Sequence, residues 1–271
     1  IWFKVTQKLF RDSHMKKRLI PVVFAFDGYL VRSEEFSWHQ RLGNLTAQVA
    51  RFSEWNLDEL VYIDIGASRN PSLIDESYFL NCVKPVSDVC RMPLTFGGGI
   101  RTEEHADQLF RYGADKIVLS TAAFENPSLI KRLSNRYGCQ AICISLDIKL
   151  IDTKYSLTSN AGQKIHSKID IYDYVQKCEA LGCGEFFLNT VHRDGLATGY
   201  DISLINSIVK WSGVPVIVCG GANSDKHFSG AIENTSASAF AAGNYFNFRE
   251  LSYPILKNRL YKKYPTILRR P

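Results

Sequence analysis

Short apolar runs recur along the chain, separated by longer stretches in which apolar residues return every three or four positions. The runs are Leu19–Phe24, Leu60–Ile65, Pro93–Phe96, Lys116–Ser120, Ala141–Leu146, Glu185–Asn189, Pro215–Cys219 and Ala237–Ala242. Most are rich in β-branched or aromatic residues and end at Gly, Asp, Asn or Ser. That is the signature of strands buried on both faces, as in a parallel sheet. The intervening stretches read as amphipathic helices. Thr102–Tyr112 is the clearest, with Thr102 as N-cap, Glu103 or Glu104 in the first turn and Gly113 at the C-terminal stop. Pro127–Tyr137, Ile171–Leu181 and Ile202–Trp211 repeat the pattern.

Eight strands alternating with helices predict an α/β fold, a closed (β/α)₈ TIM barrel forming one domain over residues 15–271. The competing arrangement is an open doubly wound sheet, but no GxGxxG follows the first strand. Residues 1–14 carry charges and aromatics without an apolar core and are expected to be an extension outside the barrel, with Met15 the more natural start. The chain also repeats internally. MPLTFGGGIRT (92–102) resembles VPVIVCGGANS (214–224), so Pro93 pairs with Pro215 and Gly99 with Gly221 at one constant offset. Leu60–Ile65 similarly matches Phe186–Val191. Four strands cannot close a barrel alone, so two half-barrels in one domain explain the repeat better than tandem domains.

Composition narrows the function. The net charge of +6 is spread along the chain, with no Lys/Arg block of the kind that binds nucleic acid, and it suits an anionic metabolite. Seven scattered cysteines with no CxxC pair argue for reduced thiols in a cytoplasmic protein and against a metal cluster. No apolar run reaches the length of a membrane span, and no redox cofactor is implied.

Active sites of such barrels lie at the C-terminal ends of the strands. The repeat therefore predicts two related phosphate sites on one face. The first comprises Gly98 and Gly99 with Ser120 and Thr121, and the second Gly220 and Gly221 with Ala242 and Gly243. Glycines there let backbone N–H groups approach an anion; the plainer reading of each is a tight turn. Asp147 ends the fifth apolar run and Asp194 follows the sixth, both placed for proton transfer. For Asp147 the competing role is loop capping. His192 could donate a proton, though a lone loop histidine is more often a bystander.

RLIPVV (18–23), DELVYIDI (58–65), PLTFGGGIRT (93–102), GADKIVLSTAAFENP (113–127), SLDIK (145–149), LGCGEFFLNTVHRDGLATGYD (181–201) and PVIVCGGANSDKHF (215–228) together resemble the cyclase-subunit family of imidazole glycerol phosphate synthase. The resemblance spans about residues 17–250 in order. It implies a partner glutaminase docked on the N-terminal face of the barrel. Ammonia released there would travel along the barrel axis to a bisphosphate at the other end. It also implies a charged ring at the ammonia entrance, matched by Arg18, Glu59, Lys116 and Glu185, with Asp115 facing the glutaminase. Ordinary structural ion pairing is the alternative reading of the ring.

The departures from the family fall mostly at the chemistry end. The family's cyclisation uses two aspartates, and Asp147 matches the second while Phe24 stands at the first. Phe26 replaces a lysine, Asn189 a threonine and His192 an aspartate, although Asp194 persists. Gly243-Asn244-Tyr245 replaces the usual Ser-Val-Phe, and the chain continues into a Tyr253-Pro254 element. This lopsidedness resembles the glycosyl amidation-associated branch found with surface-polysaccharide genes. The branch implies ammonia channelling to a sugar amidotransferase in lipopolysaccharide or related glycan synthesis. The alternatives are a genuine cyclase of histidine biosynthesis using Asp147 and Asp194, a non-catalytic ammonia conduit, and the sister isomerase, which lacks the charged ring.

Overall fold

The computed structural model describes residues 16–271; the expected extension at residues 1–14 lies outside the described residues. The first strand, β1 (Arg18–Phe26), runs out into an antiparallel hairpin of β2 (Tyr29–Glu34) and β3 (Trp38–Asn44). The chain continues through β4 (Leu60–Asp64), β5 (Leu94–Gly97), β6 (Lys116–Leu119) and β7 (Ile142–Ile151). After β7 comes a second antiparallel excursion, β8 (Lys154–Ser159) and β9 (Lys164–His166). The last strands are β10 (Glu185–Thr190), β11 (Val216–Cys219) and β12 (Ala239–Ala242).

Strands β1, β4, β5, β6, β7, β10, β11 and β12 pair in parallel in that order, and β12 returns to β1. Helices lie between them, so this is the closed eight-stranded TIM barrel that the apolar runs predict. The strands read as continuous apolar runs because both faces are covered. In β1, Ile20, Val22 and Phe24 point into the barrel, where Val61, Val118, Phe187 and Ile217 meet them. Leu19, Val23 and Ala25 point out against the helical layer. Thr102 caps the helix Glu103–Arg111 by accepting from the His105 amide at 3.2 Å, and Gly113 follows in the left-handed region at φ +94°.

The half-barrel repeat is visible in the packing. Gly98 (φ +110°) lies so close to Asp64 that an added Cβ would sit 2.2 Å from the Asp64 carbonyl oxygen. Gly220 (φ +107°) stands in the same relation to Thr190, at 2.7 Å from its carbonyl oxygen. Each turn needs glycine for two reasons, left-handed backbone and close approach to the neighbouring strand's end.

Two parts of the fold differ from the sequence expectation. Strands β1 and β7 run past Phe24 and Leu146 because each carries on into an excursion. The excursions themselves escape an apolar-run reading, since β3 (WHQRLGN) has no buried residue and β2 is exposed or half-exposed at Tyr29, Arg32 and Glu34. At the chain's end, the helix Ser252–Lys263 packs on the N-terminal rim. The Tyr253 hydroxyl accepts from the Asp58 amide at 2.9 Å, and the buried Lys257 ammonium pairs with the Asp58 carboxylate. Lys17 then bridges Leu268, which ties the C-terminal segment to the start of β1. Among the described residues, no helix is long and apolar enough to cross a membrane.

Candidate functional site

Four charged side chains form the floor of the barrel. Arg18 opens β1, Glu59 precedes β4, Lys116 opens β6 and Glu185 opens β10. Arg18 pairs with both Glu59 and Glu185. The Lys116 ammonium lies 3.1 Å from Glu59 and 2.7 Å from Glu185. The result is a closed circuit of alternating sign across the barrel axis. Thr95 adds a hydrogen bond to Glu59 at 2.9 Å. Burial opposes charge on every member of such a ring, and the partners reverse it. Burial alone would raise the Glu59 carboxyl, but Arg18 and Lys116 hold it below its ordinary value. Burial would lower the Lys116 ammonium, but Glu185 and Glu59 hold it above. Asp115, next to the ring, is exposed on this face and accepts from the Leu94 amide at 2.8 Å.

Above the ring the interior is lined by Ile20, Val61, Val118, Phe187, Ile217 and the Cys143 thiol. Burial pushes that thiol far up, so it stays neutral. The seven cysteines are all free.

At the C-terminal end, Asp147 sits fully buried on β7. Ser120 and Ser145 donate to its carboxylate at 2.8 and 2.9 Å, and the Asn189 amide approaches at 3.4 Å. Burial pushes the Asp147 carboxyl above its ordinary range, and these donors pull it part of the way back. The space beside it is only about 30 Å³, room for one or two waters. Two phenylalanines fill the rest. Phe24 lies on the β1 wall and Phe36 dips in from the β2–β3 turn, their ring centres 5.5 Å apart and edge to face. The Phe36 backbone is left-handed (φ +54°) and Arg69 donates to its carbonyl oxygen, so the turn is held down over the barrel mouth.

The two predicted phosphate sites are unequal. At the first, the Ser120 hydroxyl is committed to Asp147, and the Thr121 hydroxyl accepts from the Asn160 amide at 2.9 Å. Gly99 backs onto Ala67 and Ile74. At the second, a cavity of about 330 Å³ opens, and Gly220, Gly221, Ala242 and Gly243 all line it. Asp194 lines this second cavity and not the pocket of Asp147. It is 5% exposed, and its Oδ2 has no hydrogen-bond partner. Burial pushes its carboxyl up to about 7, and Glu34 and Glu35 add to the effect. The two aspartates thus occupy separate pockets. His192 lines neither; its Nδ1 accepts from the Leu150 amide, and its Nε2 lies 3.5 Å from Asp201.

Sequence reasoning missed Ser145, Phe36, Arg32 and Arg249. Ser145 was within reach, because it lies two positions before Asp147 on one strand and so shares its face. The other three reach the cavities from segments outside the barrel strands, where no periodicity marks them.

The pattern of the histidine biosynthesis protein family matches residues 18–252. The chain is 33% identical over 249 residues to imidazole glycerol phosphate synthase subunit HisF of Natranaerobius thermophilus, covering 92% of this chain and 97% of that protein. It is 34% identical over 244 residues to the subunit of the same name from Hydrogenobaculum sp., covering 90% and 95%. For that of Buchnera aphidicola the values are 31% over 256 residues, with 91% and 98% covered.

Proposed function

Because the chain belongs to the histidine biosynthesis protein family, we propose that it is the ammonia-accepting, cyclase-type subunit of a glutamine amidotransferase. The observation that carries this reading is the closed ring of Arg18, Glu59, Lys116 and Glu185 beneath an apolar interior. An apolar lumen is favourable to neutral ammonia and costly for ammonium, which would lose its hydration there. A ring of paired charges lets the entrance be polar without leaving a buried ion alone. A glutaminase docks on this face, beside Asp115, and the second-site cavity binds a phosphorylated acceptor. The test is to mix the full-length chain with a candidate glutaminase subunit from the same organism. Stable complex formation with stimulated glutamine hydrolysis supports the reading; a chain that neither binds nor stimulates would overturn it.

The acceptor is the finer question. The names of the relatives favour the bisphosphate of histidine biosynthesis, and they carry nothing toward surface glycans. One observation favours a different acceptor. Phe24 fills the pocket beside Asp147 and supplies no group that exchanges a proton. Asp147 therefore works without a second carboxylate in its own pocket, since Asp194 lines the other one. On this basis the ammonia serves a transfer other than two-carboxylate cyclisation, of which sugar amidation with a separate amidotransferase is the form we favour. Ammonium-dependent turnover of the bisphosphate separates the two acceptors.

A further inference from the structure

The pocket of Asp147 is too small for a metabolite. At about 30 Å³ it holds one or two molecules of the size of water or ammonia. It is continuous with the apolar interior above the charged ring, since Val118 and Phe187 line both. Phe24 and Phe36 close its other side. Its polar side chains are Asp147, Ser120, Ser145, Asn189 and Ser68; among the described residues no Lys, Arg or His lines it. The Ser120 and Ser145 hydroxyls donate to the Asp147 carboxyl at 2.8 and 2.9 Å. Each has spent its one proton there and keeps only lone pairs to offer. The Asn189 amide also turns to this carboxyl, at 3.4 Å, and Asn189 is fully buried.

Such a lining sorts small molecules by their protons. Water brings two donors and two lone pairs, and the two serine oxygens serve only the donors. Ammonia brings three donors and one lone pair, and a carboxyl proton answers that lone pair. Burial raises the proton affinity of Asp147, and no cation offsets it. When ammonia takes the proton, the carboxyl O–H bond breaks and a fourth N–H bond forms. Ammonium is left paired with the carboxylate, with hydrogens to spare for the two serine oxygens. The pocket stays neutral as a whole, so no single ion is buried alone. We infer that this pocket is a holding site for ammonia, in which Asp147 protonates the arriving molecule and keeps it as ammonium against Ser120 and Ser145. Return of the proton to Asp147 releases neutral ammonia to its acceptor. The inference rests on the reading of the barrel as an ammonia conduit, and it gives Asp147 a task that needs no second carboxylate.

Thermal unfolding of the full-length chain in sodium, potassium, ammonium and methylammonium chlorides, at equal concentration and near neutral pH, tests it. Ammonium is expected to raise the melting temperature above that in sodium by about 2–4 °C, and to saturate. Methylammonium is too large for the pocket and potassium has no proton to share, so both are expected to match sodium. Asp147→Asn is expected to abolish the ammonium effect and Ser145→Ala to reduce it. Each variant is compared with itself between salts, so a change in its own stability drops out. An ammonium effect that survives in Asp147→Asn, or an equal rise with methylammonium or potassium, would overturn the holding site. So would the lack of any ammonium effect in the parent chain. If a glutaminase still binds and is stimulated in that case, the conduit reading stands without the holding site.

Discussion

The two ends of the barrel handle buried charge in opposite ways. At the N-terminal end four charges face one another, two of each sign, and the opposite charges hold Arg18, Glu59 and Lys116 in their ionised forms. At the C-terminal end Asp147 and Asp194 are buried in separate pockets with no cation paired to either carboxylate, and burial pushes both toward the neutral form. The floor is electrostatically self-contained, which under the proposed function lets it pass a neutral molecule and still face water. The mouth is electrostatically incomplete, as a site must be if its ligand is to finish it. The family resemblance implies the same contrast: the ring residues match it, while Phe24 and Asn189, which both line the pocket of Asp147, depart from it.

The contrast can be broken most forcefully at the ring. Glu59→Gln leaves Arg18 and Lys116 sharing the single carboxylate of Glu185. Loss of one partner from a buried ion network should cost about 3–5 kcal/mol, read as a lower midpoint in chemical denaturation. A change under 1 kcal/mol would mean that the ring is solvated rather than buried. Phe24→Ala probes the other end through packing. It should cost about 3 kcal/mol by leaving a cavity, and it should enlarge the pocket at Asp147. An unchanged stability would show that Phe24 is not wedged between Phe36 and Gly243 as its contacts indicate.

At Asp194 the pH dependence of the effect carries the information. The folded-state value near 7 lies above the ordinary carboxylate value. The neutral form therefore contributes stability that is complete below the unfolded value and is lost as the pH rises through about 7. Asp194→Asn cannot ionise and escapes that loss. Its melting temperature should exceed that of the parent by a margin that opens between about pH 4 and pH 7 and is constant above, equivalent to at most about 4 kcal/mol. A margin that shrinks with rising pH would mean that Asp194 is stabilised as a carboxylate.

Much of this architecture is legible in the residues. The eight barrel strands are continuous apolar runs because both faces are covered, and the ring residues stand at the strand starts where the floor must lie. The repeat pairs Gly98 with Gly220, and both turns show the same left-handed backbone and close contact with a neighbouring strand's end. The excursions after β1 and β7 were not legible, because strands exposed on one side carry polar residues that a run of apolar positions cannot flag. That gap hid Phe36, which narrows the pocket of Asp147, and Arg32, which lines the other cavity. It also hid the inequality of the two glycine turns. Gly98–Gly99 and Gly220–Gly221 look alike in sequence, and what separates them is side-chain commitment, with Ser120 and Thr121 already bonded to Asp147 and Asn160.

The central claim is that the ammonia entrance is intact while the chemistry at the mouth has changed. Its most direct test is formation of imidazole glycerol phosphate by the full-length chain, supplied with saturating ammonium salt and the bisphosphate precursor, so that no glutaminase is needed. The expected result is no product above background, because Phe24 leaves Asp147 without a second carboxylate in its pocket. Robust turnover would contradict the claim and make the chain a working cyclase of histidine biosynthesis, with Phe24 a tolerated substitution.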